Sequence, residues 1–279
     1  MSVELPEASI LAGQMMAALR GRRVKSVELR DCEKLQRMGF VNRNPEDFEM
    51  LVGRTVEGVS SRGNTVRVSL DRGVNLLLAP EYGGLVLFHG DGREAAERRH
   101  LMLSFEDGAA LTVRLTSMGL IQVAHDGDLA GSYMYRRDFQ GGLSPLEDGF
   151  TLKRFTGLVS GVNRGLKQVL VGKDAVLVGL SNSAFMDVIY RARIHPGRRG
   201  SSLSAEEAGR LFGAVKDLVS DRMSLGGKDE WVDLHGVRGR YAPRMGPNMK
   251  GRACPACGSE IERIQHGGGA VYLCPVCQV

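Results

Sequence analysis

Residues 254–278 read CPACGSEIERIQHGGGAVYLCPVCQ, two C-x-x-C pairs separated by sixteen residues. A tetrahedral zinc ion takes four thiolates at ~2.3 Å, and each C-x-x-C turn offers two sulfurs to one ion. Disulfides are disfavoured in an intracellular chain of this length. A redox role needs one such pair beside a βαβ pattern, and neither pair has that setting. The spacing therefore predicts a structural zinc site made by Cys254, Cys257, Cys274 and Cys277. Between the pairs, residues 258–273 read as two strands around the turn Gly267-Gly268-Gly269, a compact finger. The fifth cysteine, Cys32, is unpaired and is expected to be a buried or inert thiol. A zinc finger by itself does not name a function.

Working back from the finger, residues 236–252 are rich in Gly and Arg, and residues 151–224 carry helical periodicity. The clearest helix is 204–222, where Ser204 and Glu207 form a capping box and Leu211, Val215, Leu218 and Val219 share a face. Gly226-Gly227 closes that region. Ahead of Leu143-Ser144-Pro145-Leu146 the period is that of strands: 66–70, 74–78, 85–88, 101–105, 111–115 and 120–123. Turn signals such as Asp91-Gly92 and Asp107-Gly108 separate them, which predicts a β-sandwich or barrel. A first helix is expected over 6–20, with Pro6 in its opening turn, Leu11, Met15 and Ala18 on one face, and Gly21 at its end.

Composition sets the class. The chain has 279 residues, 43% hydrophobic and 25% charged, enough for about two globular domains without disulfide support. It has no run of ~20 apolar residues, so no membrane span is expected. MSVELPEAS is acidic and lacks the apolar core of a secretory signal, which points to an intracellular, cytoplasmic protein. Residues 1–150 carry 18 Lys+Arg against 21 Asp+Glu, and residues 151–279 carry 19 against 11. A basic second half fits a polyanionic partner as well as it fits a solvated surface.

Three segments together resemble the formamidopyrimidine-DNA glycosylase/endonuclease VIII family. They are Glu4-Leu5-Pro6-Glu7-Ala8; then Leu166-Lys167-Gln168-Val169-Leu170 with Gly179-Leu180-Ser181-Asn182 and Ala192-Arg193-Ile194-His195-Pro196; and finally the two cysteine pairs ending in Gln278. The resemblance runs along the whole chain, in a divergent prokaryotic branch with valine where the family has its N-terminal proline. It implies an α+β multidomain fold: an N-terminal β-sandwich led by a helix (1–142), a central helix–two-turn–helix domain (143–235) and a C-terminal four-cysteine zinc finger (236–279). It further implies a monomer that binds damaged or abasic DNA, with the zinc structural.

The family's chemistry is base excision by the N-terminal amine, which attacks C1′ and forms a Schiff base before elimination nicks the strand. An α-amine with a pKa of ~7.7–8.0 leaves roughly a tenth of itself neutral at pH 7. Glu4 matches the family glutamate that protonates the sugar or base oxygen, and Glu7 a second glutamate that supports the site. Taken alone, the two would read as acids stabilising a helix start. Val3 stands in the proline position behind Met1-Ser2. Either Ser2 is an addition, or Ser2 supplies the amine in place of Val3, or the lyase is impaired.

Further departures concern DNA contacts. Asn64 occupies the slot of a family phosphate-binding lysine, with Arg62 or Arg67 as candidate substitutes. Asn182 matches the asparagine that holds a phosphate beside the lesion. Lys167 matches a lysine facing pocket or backbone, and an exposed helix lysine is the plain alternative. Gly269 stands where the finger arginine is usual, leaving His266, Arg263, Lys250 or the glycine N–H groups as candidates. Arg191, Arg193, His195, Arg198 and Arg199 could flank a duplex, and Tyr133–Phe139 could fill the gap left by a flipped base. A DNA glycosylase with or without lyase activity is the leading expectation. A non-catalytic binder of abasic DNA on the same scaffold is the alternative.

Overall fold

The computed structural model describes residues 3–90, 97–116, 118–172 and 174–279. Ser2 and the Asp91-Gly92 turn lie outside them. By contact the chain forms two units: Met1–Gln140 with Leu225–Arg240, and Gly141–Ser224 with Tyr241–Val279. This division differs from the three consecutive segments expected from sequence, because residues 225–240 pack with the first unit.

The first unit opens with helix α1 (Leu5–Leu19), begun by Pro6 in its first turn and a Glu4 N–H that donates to Glu7 Oε2 (3.2 Å). Strand β1 (Val24–Leu29) and the short helix α2 (Glu33–Arg37) follow. Seven further strands complete two antiparallel sheets: β2 (Val56–Arg62), β3 (Thr65–Leu70), β4 (Val74–Ala79), β5 (Leu85–His89), β6 (Leu101–Phe105), β7 (Ala110–Arg114) and β8 (Leu120–His125). Their orders are β1-β6-β7-β5 and β2-β3-β4-β8. One apolar core joins them, with Val24, Leu103 and Phe105 from the first sheet, Val66, Val68 and Leu76 from the second, and Leu11 and Met15 from α1. This is the β-sandwich led by a helix that the alternation predicts.

Strand β4 is buried along its whole length, unlike a half-exposed sandwich strand. Val74, Leu76 and Leu78 enter the main core. On the other face, Leu77 and Ala79 meet Leu120 and Leu129, with Met134 and Tyr135 packed against them. Beyond β8 the chain makes a one-turn helix α3 (Tyr133–Tyr135) and a π turn, Arg136–Gln140.

The second unit holds helices α4 (Leu152–Ser160), α5 (Leu166–Val171), α6 (Asn182–Ala192) and α7 (Ala205–Ser224). The Ser204 hydroxyl accepts the Glu207 N–H (3.1 Å) while Glu207 Oε2 accepts the Ser204 N–H (2.7 Å), the reciprocal cap read from the sequence. Leu211, Val215, Leu218 and Val219 are buried, as their spacing requires. Phe150, Phe155 and Phe212 pack together. Buried Asp187 ties α6 to the returning chain, accepting from Tyr241 Oη (2.5 Å), Arg191 Nε (3.0 Å) and the Arg244 N–H (3.1 Å). The unit ends in a hairpin, β9 (Glu262–His266) and β10 (Gly269–Leu273), whose turn residues Gly267 (φ +54°) and Gly268 (φ +80°) both have positive φ. Among the described residues no helix is long and apolar enough to cross a membrane.

Candidate active site and nucleic-acid interface

The start of α1 gathers an enclosed charge group. Val3 lies in the apolar core, fixing the chain where the helix begins. The next residue, Glu4, and Glu7 one turn on are both 0% exposed. Carboxylates are rarely enclosed without a cation, and Lys228, itself 0% exposed, lies beside them. Its Nζ is 3.2 Å from Glu4 Oε2 and 4.0 Å from Glu7 Oε2. Glu7 also accepts the Lys228 backbone N–H through Oε1 (3.2 Å). Glu7 thus binds the main chain at both Glu4 and Lys228, fixing their separation.

Gly226-Gly227 brings the lysine in. Gly227 has φ +92°, and a Cβ there would lie 2.5 Å from the Trp231 ring and 3.3 Å from Glu7 Cγ. Trp231 and Leu234 then enter the apolar core. The Leu234 carbonyl accepts from Phe88 N (3.0 Å), while Gln14 donates to Asp233 (2.7 Å) and accepts the Leu234 N–H (3.1 Å). Lys228 was missed from sequence, where Gly-Gly reads only as the end of a helical region.

At the β2–β3 hairpin, Gly63 (φ +58°) is required by close approach, since a Cβ would sit 2.6 Å from Asp138 Cγ. Asp138 is fully buried and accepts the Asn64 N–H (3.1 Å) and the Thr65 hydroxyl (2.6 Å). Arg62 donates to the Asp138 carbonyl, and Arg67 pairs with Asp126 (2.9 Å). The Asn64 amide hydrogen-bonds Glu81, whose carboxyl is pushed above its ordinary range chiefly by burial and is drawn back by Arg137. Asn64 Oδ1 is buried with no partner among the described residues. Asn64 and Arg62, considered above for phosphate, are therefore both engaged with the segment around Asp138. Tyr135 and Phe139 stack at 4.9 Å on that segment, while Tyr133 is half exposed. Asp138→Ala would strand the Asn64 N–H and the Thr65 hydroxyl. The expected loss is about 3 kcal/mol, seen as a lower urea midpoint with an unchanged slope.

In the second unit, Lys167, Asn182 and Gly269 come together on the finger hairpin. Lys167 Nζ donates to the His266 carbonyl (2.8 Å). Its stem lies across the glycine turn: a Cβ on Gly267 would be 2.8 Å from Lys167 Cδ, and one on Gly269 3.5 Å from Nζ. Burial pulls the Lys167 ammonium below the ordinary lysine range. Asn182 Nδ2 donates to the Ala270 carbonyl (3.1 Å). Of the other cations considered for the duplex, Arg191 pairs with Asp187 and Asp221, Arg198 with Glu207, and Arg199 with Asn163.

The four finger cysteines fit a zinc ion. Their sulfurs all lie within 4.8 Å of one another, with Cys257–Cys274 at 3.4 Å and Cys254–Cys277 at 3.9 Å. A tetrahedron with ~2.3 Å bonds has edges of ~3.8 Å. The Tyr190 hydroxyl lies 3.3 Å from Cys254 Sγ. Gln278 accepts the Cys274 N–H (2.9 Å) and donates to the Ile194 carbonyl (3.1 Å), anchoring the last knuckle to the end of α6. Such outer contacts orient the ligands. The zinc there is structural: four thiolates leave no open position. Cys32 is buried and its thiol is pushed up to about 11, chiefly by burial, which makes it unreactive.

Known proteins are similar to this chain in sequence and fold. Residues 3–116 match the formamidopyrimidine-DNA glycosylase N-terminal domain. The formamidopyrimidine-DNA glycosylase of Listeria innocua is 27% identical over 280 residues, covering 99% of both chains. That of Roseiflexus is 28% identical over 281 residues, again with 99% of both covered. The MutM (Fpg) protein of Thermus thermophilus superposes with a TM-score of 0.81 at 25% identity, over 99% of this chain and 98% of that one. Lactococcus lactis Fpg, solved in complex with DNA containing an abasic site, shares the fold with a TM-score of 0.85 at 21% identity over 99% of each chain. The chain is thus similar to formamidopyrimidine-DNA glycosylases along nearly its whole length.

Proposed function

We propose that this protein is a DNA-repair glycosylase that excises a damaged base and nicks the resulting abasic site through an amine at its N-terminus. The family's named activity and the abasic-site DNA bound by its structural relative support this reading. The observation that carries it is the pair of enclosed carboxylates, Glu4 and Glu7, on the first turn of α1. Glu4 exchanges protons with the amine and the sugar, and Glu7 holds Glu4 in place through its backbone N–H. The attacking amine is that of Val3 if the mature chain starts there, or that of Ser2. Valine, a primary amine, then replaces the usual proline, in a divergent branch of the family.

Phosphate binding falls to Lys167 and Asn182 with the hairpin backbone around Gly269, and in the first unit to the N–H donors that Asn64 and Arg62 keep beyond their bonds to Glu81 and the Asp138 carbonyl. An ammonium braced on the His266 carbonyl keeps donors to offer an anion, and the backbone N–H groups of a glycine turn can donate to one as well. The test is a panel of duplexes with one oxidised purine or one oxidised pyrimidine each. Release of free base from at least one is expected. Tight binding to an abasic duplex without release from any would favour the non-catalytic reading, which the engaged Asn64 side chain motivates.

A further inference from the structure

The proposed chemistry uses Glu4, Glu7 and an N-terminal amine, and it leaves Lys228 unexplained. A lysine enclosed to this degree needs a reason, because a buried ammonium is costly unless paired. Its pairing is unequal: Nζ lies 3.2 Å from Glu4 and 4.0 Å from Glu7. Glu7 is meanwhile occupied by two backbone N–H groups, those of Glu4 and Lys228. The ammonium is thus aimed chiefly at the carboxylate assigned to chemistry. The double glycine and the Trp231 ring fix the backbone that delivers it.

We propose that Lys228 is a positioning residue of the glycosylase reaction, whose ammonium holds Glu4 oriented and ionised before the amine attacks. This rests on the reading of Glu4 as the acid–base group. With the Lys228 ammonium 3.2 Å from its carboxylate, an ionised Glu4 is stabilised. Glu4 then begins the cycle as a proton acceptor. As the amine forms its N–C1′ bond to an abasic sugar, Glu4 takes the proton that the nitrogen loses. The C1′–O4′ bond breaks with its electron pair on O4′, and Glu4 delivers the same proton there. Lys228 keeps its own proton throughout and compensates the charge of Glu4 whenever Glu4 is bare.

The test compares wild type, Lys228→Met, Lys228→Arg and Lys228→Ala in single-turnover nicking of an abasic duplex. Affinity for a duplex with a stable, non-reactive abasic analogue is measured in parallel. The expected result for Lys228→Met is a rate lowered about 100-fold with affinity within about twofold of wild type, and for Lys228→Arg recovery of most of the rate. Ethylammonium added to Lys228→Ala should raise its rate about tenfold or more, because the small cation enters the space of the missing side chain. A role confined to folding would not respond to ethylammonium, so absence of rescue in a folded Lys228→Ala overturns the proposal. So does a Lys228→Met rate within about threefold of wild type. Should Lys228→Met melt early, the ethylammonium rescue of Lys228→Ala, read on the folded fraction, decides in its place. Glu4→Gln serves as the reference. If it is as active as wild type, the reading of Glu4 itself fails; if it is inactive while Lys228→Met is not, only the role of Lys228 fails.

Discussion

Glu4→Gln is expected to slow nicking of an abasic duplex by about 10²- to 10⁴-fold, the range supplied by a positioned proton-transfer group. The fold should survive. Glutamine keeps the shape and can still accept from Lys228, which remains near the Glu7 carboxylate. Among the described residues the change leaves the Lys228 ammonium with the Glu7 carboxylate beside it. A melting temperature close to wild type, with binding to abasic DNA retained, would separate this loss of chemistry from loss of structure. Glu7→Gln should behave differently. Its amide can replace only one of the two carboxylate oxygens that accept the Glu4 and Lys228 N–H groups. Its cost therefore appears in stability as well as in rate.

The second large effect lies in the finger. Cys274→Ser removes a fully buried zinc ligand. Structural zinc in small fingers contributes about 10–16 kcal/mol of apparent binding energy, much of which is folding energy of the finger. Zinc content measured by mass spectrometry should fall from one per chain to near zero. The β9–β10 hairpin, a five-residue ladder, cannot stand alone without the metal. Its loss would take away the carbonyls that seat Lys167 and Asn182, those of His266 and Ala270. DNA affinity is expected to fall about tenfold, near 1.4 kcal/mol, while the two sheets of the first unit remain. Unchanged affinity in zinc-free protein would remove the finger from the proposed interface.

The parts legible in the sequence were those where one local signal dominates. β3, β4 and β6 are dense in Val and Leu, and α7 carries both a capping box and an apolar face. β1 and β2 escaped. VKSVEL is charged on its outward positions, and VEGVSSR spreads two valines among Gly, Ser and Glu, so neither announces a strand. Their pairing comes from partners far along the chain, Val24–Leu29 with Leu101–Phe105, and from the hairpin ladder of β2 on β3.

The candidate site shows the same limit. Glu4 and Glu7 could be singled out because the motif around them is local. Lys228, 224 residues from Glu4 in sequence, could not. Flanked by Gly226-Gly227 and by exposed Asp229 and Glu230, it has the look of a solvated loop lysine. Only the Trp231 and Leu234 anchors make it a core cation. Gly269 tells a related story. From sequence it marks a missing arginine, whereas in the fold the glycine turn leaves space that the Lys167 stem occupies. A substitution that removes one cation is thus accompanied by another cation approaching the same hairpin from α5.

The most direct measurement is borohydride trapping on a duplex with a single abasic site, followed by peptide mapping of the adduct. One covalent protein–DNA adduct per strand is expected, mapped to the N-terminal amine and lost in Glu4→Gln. Tight binding of the same duplex with neither adduct nor nicking would contradict it.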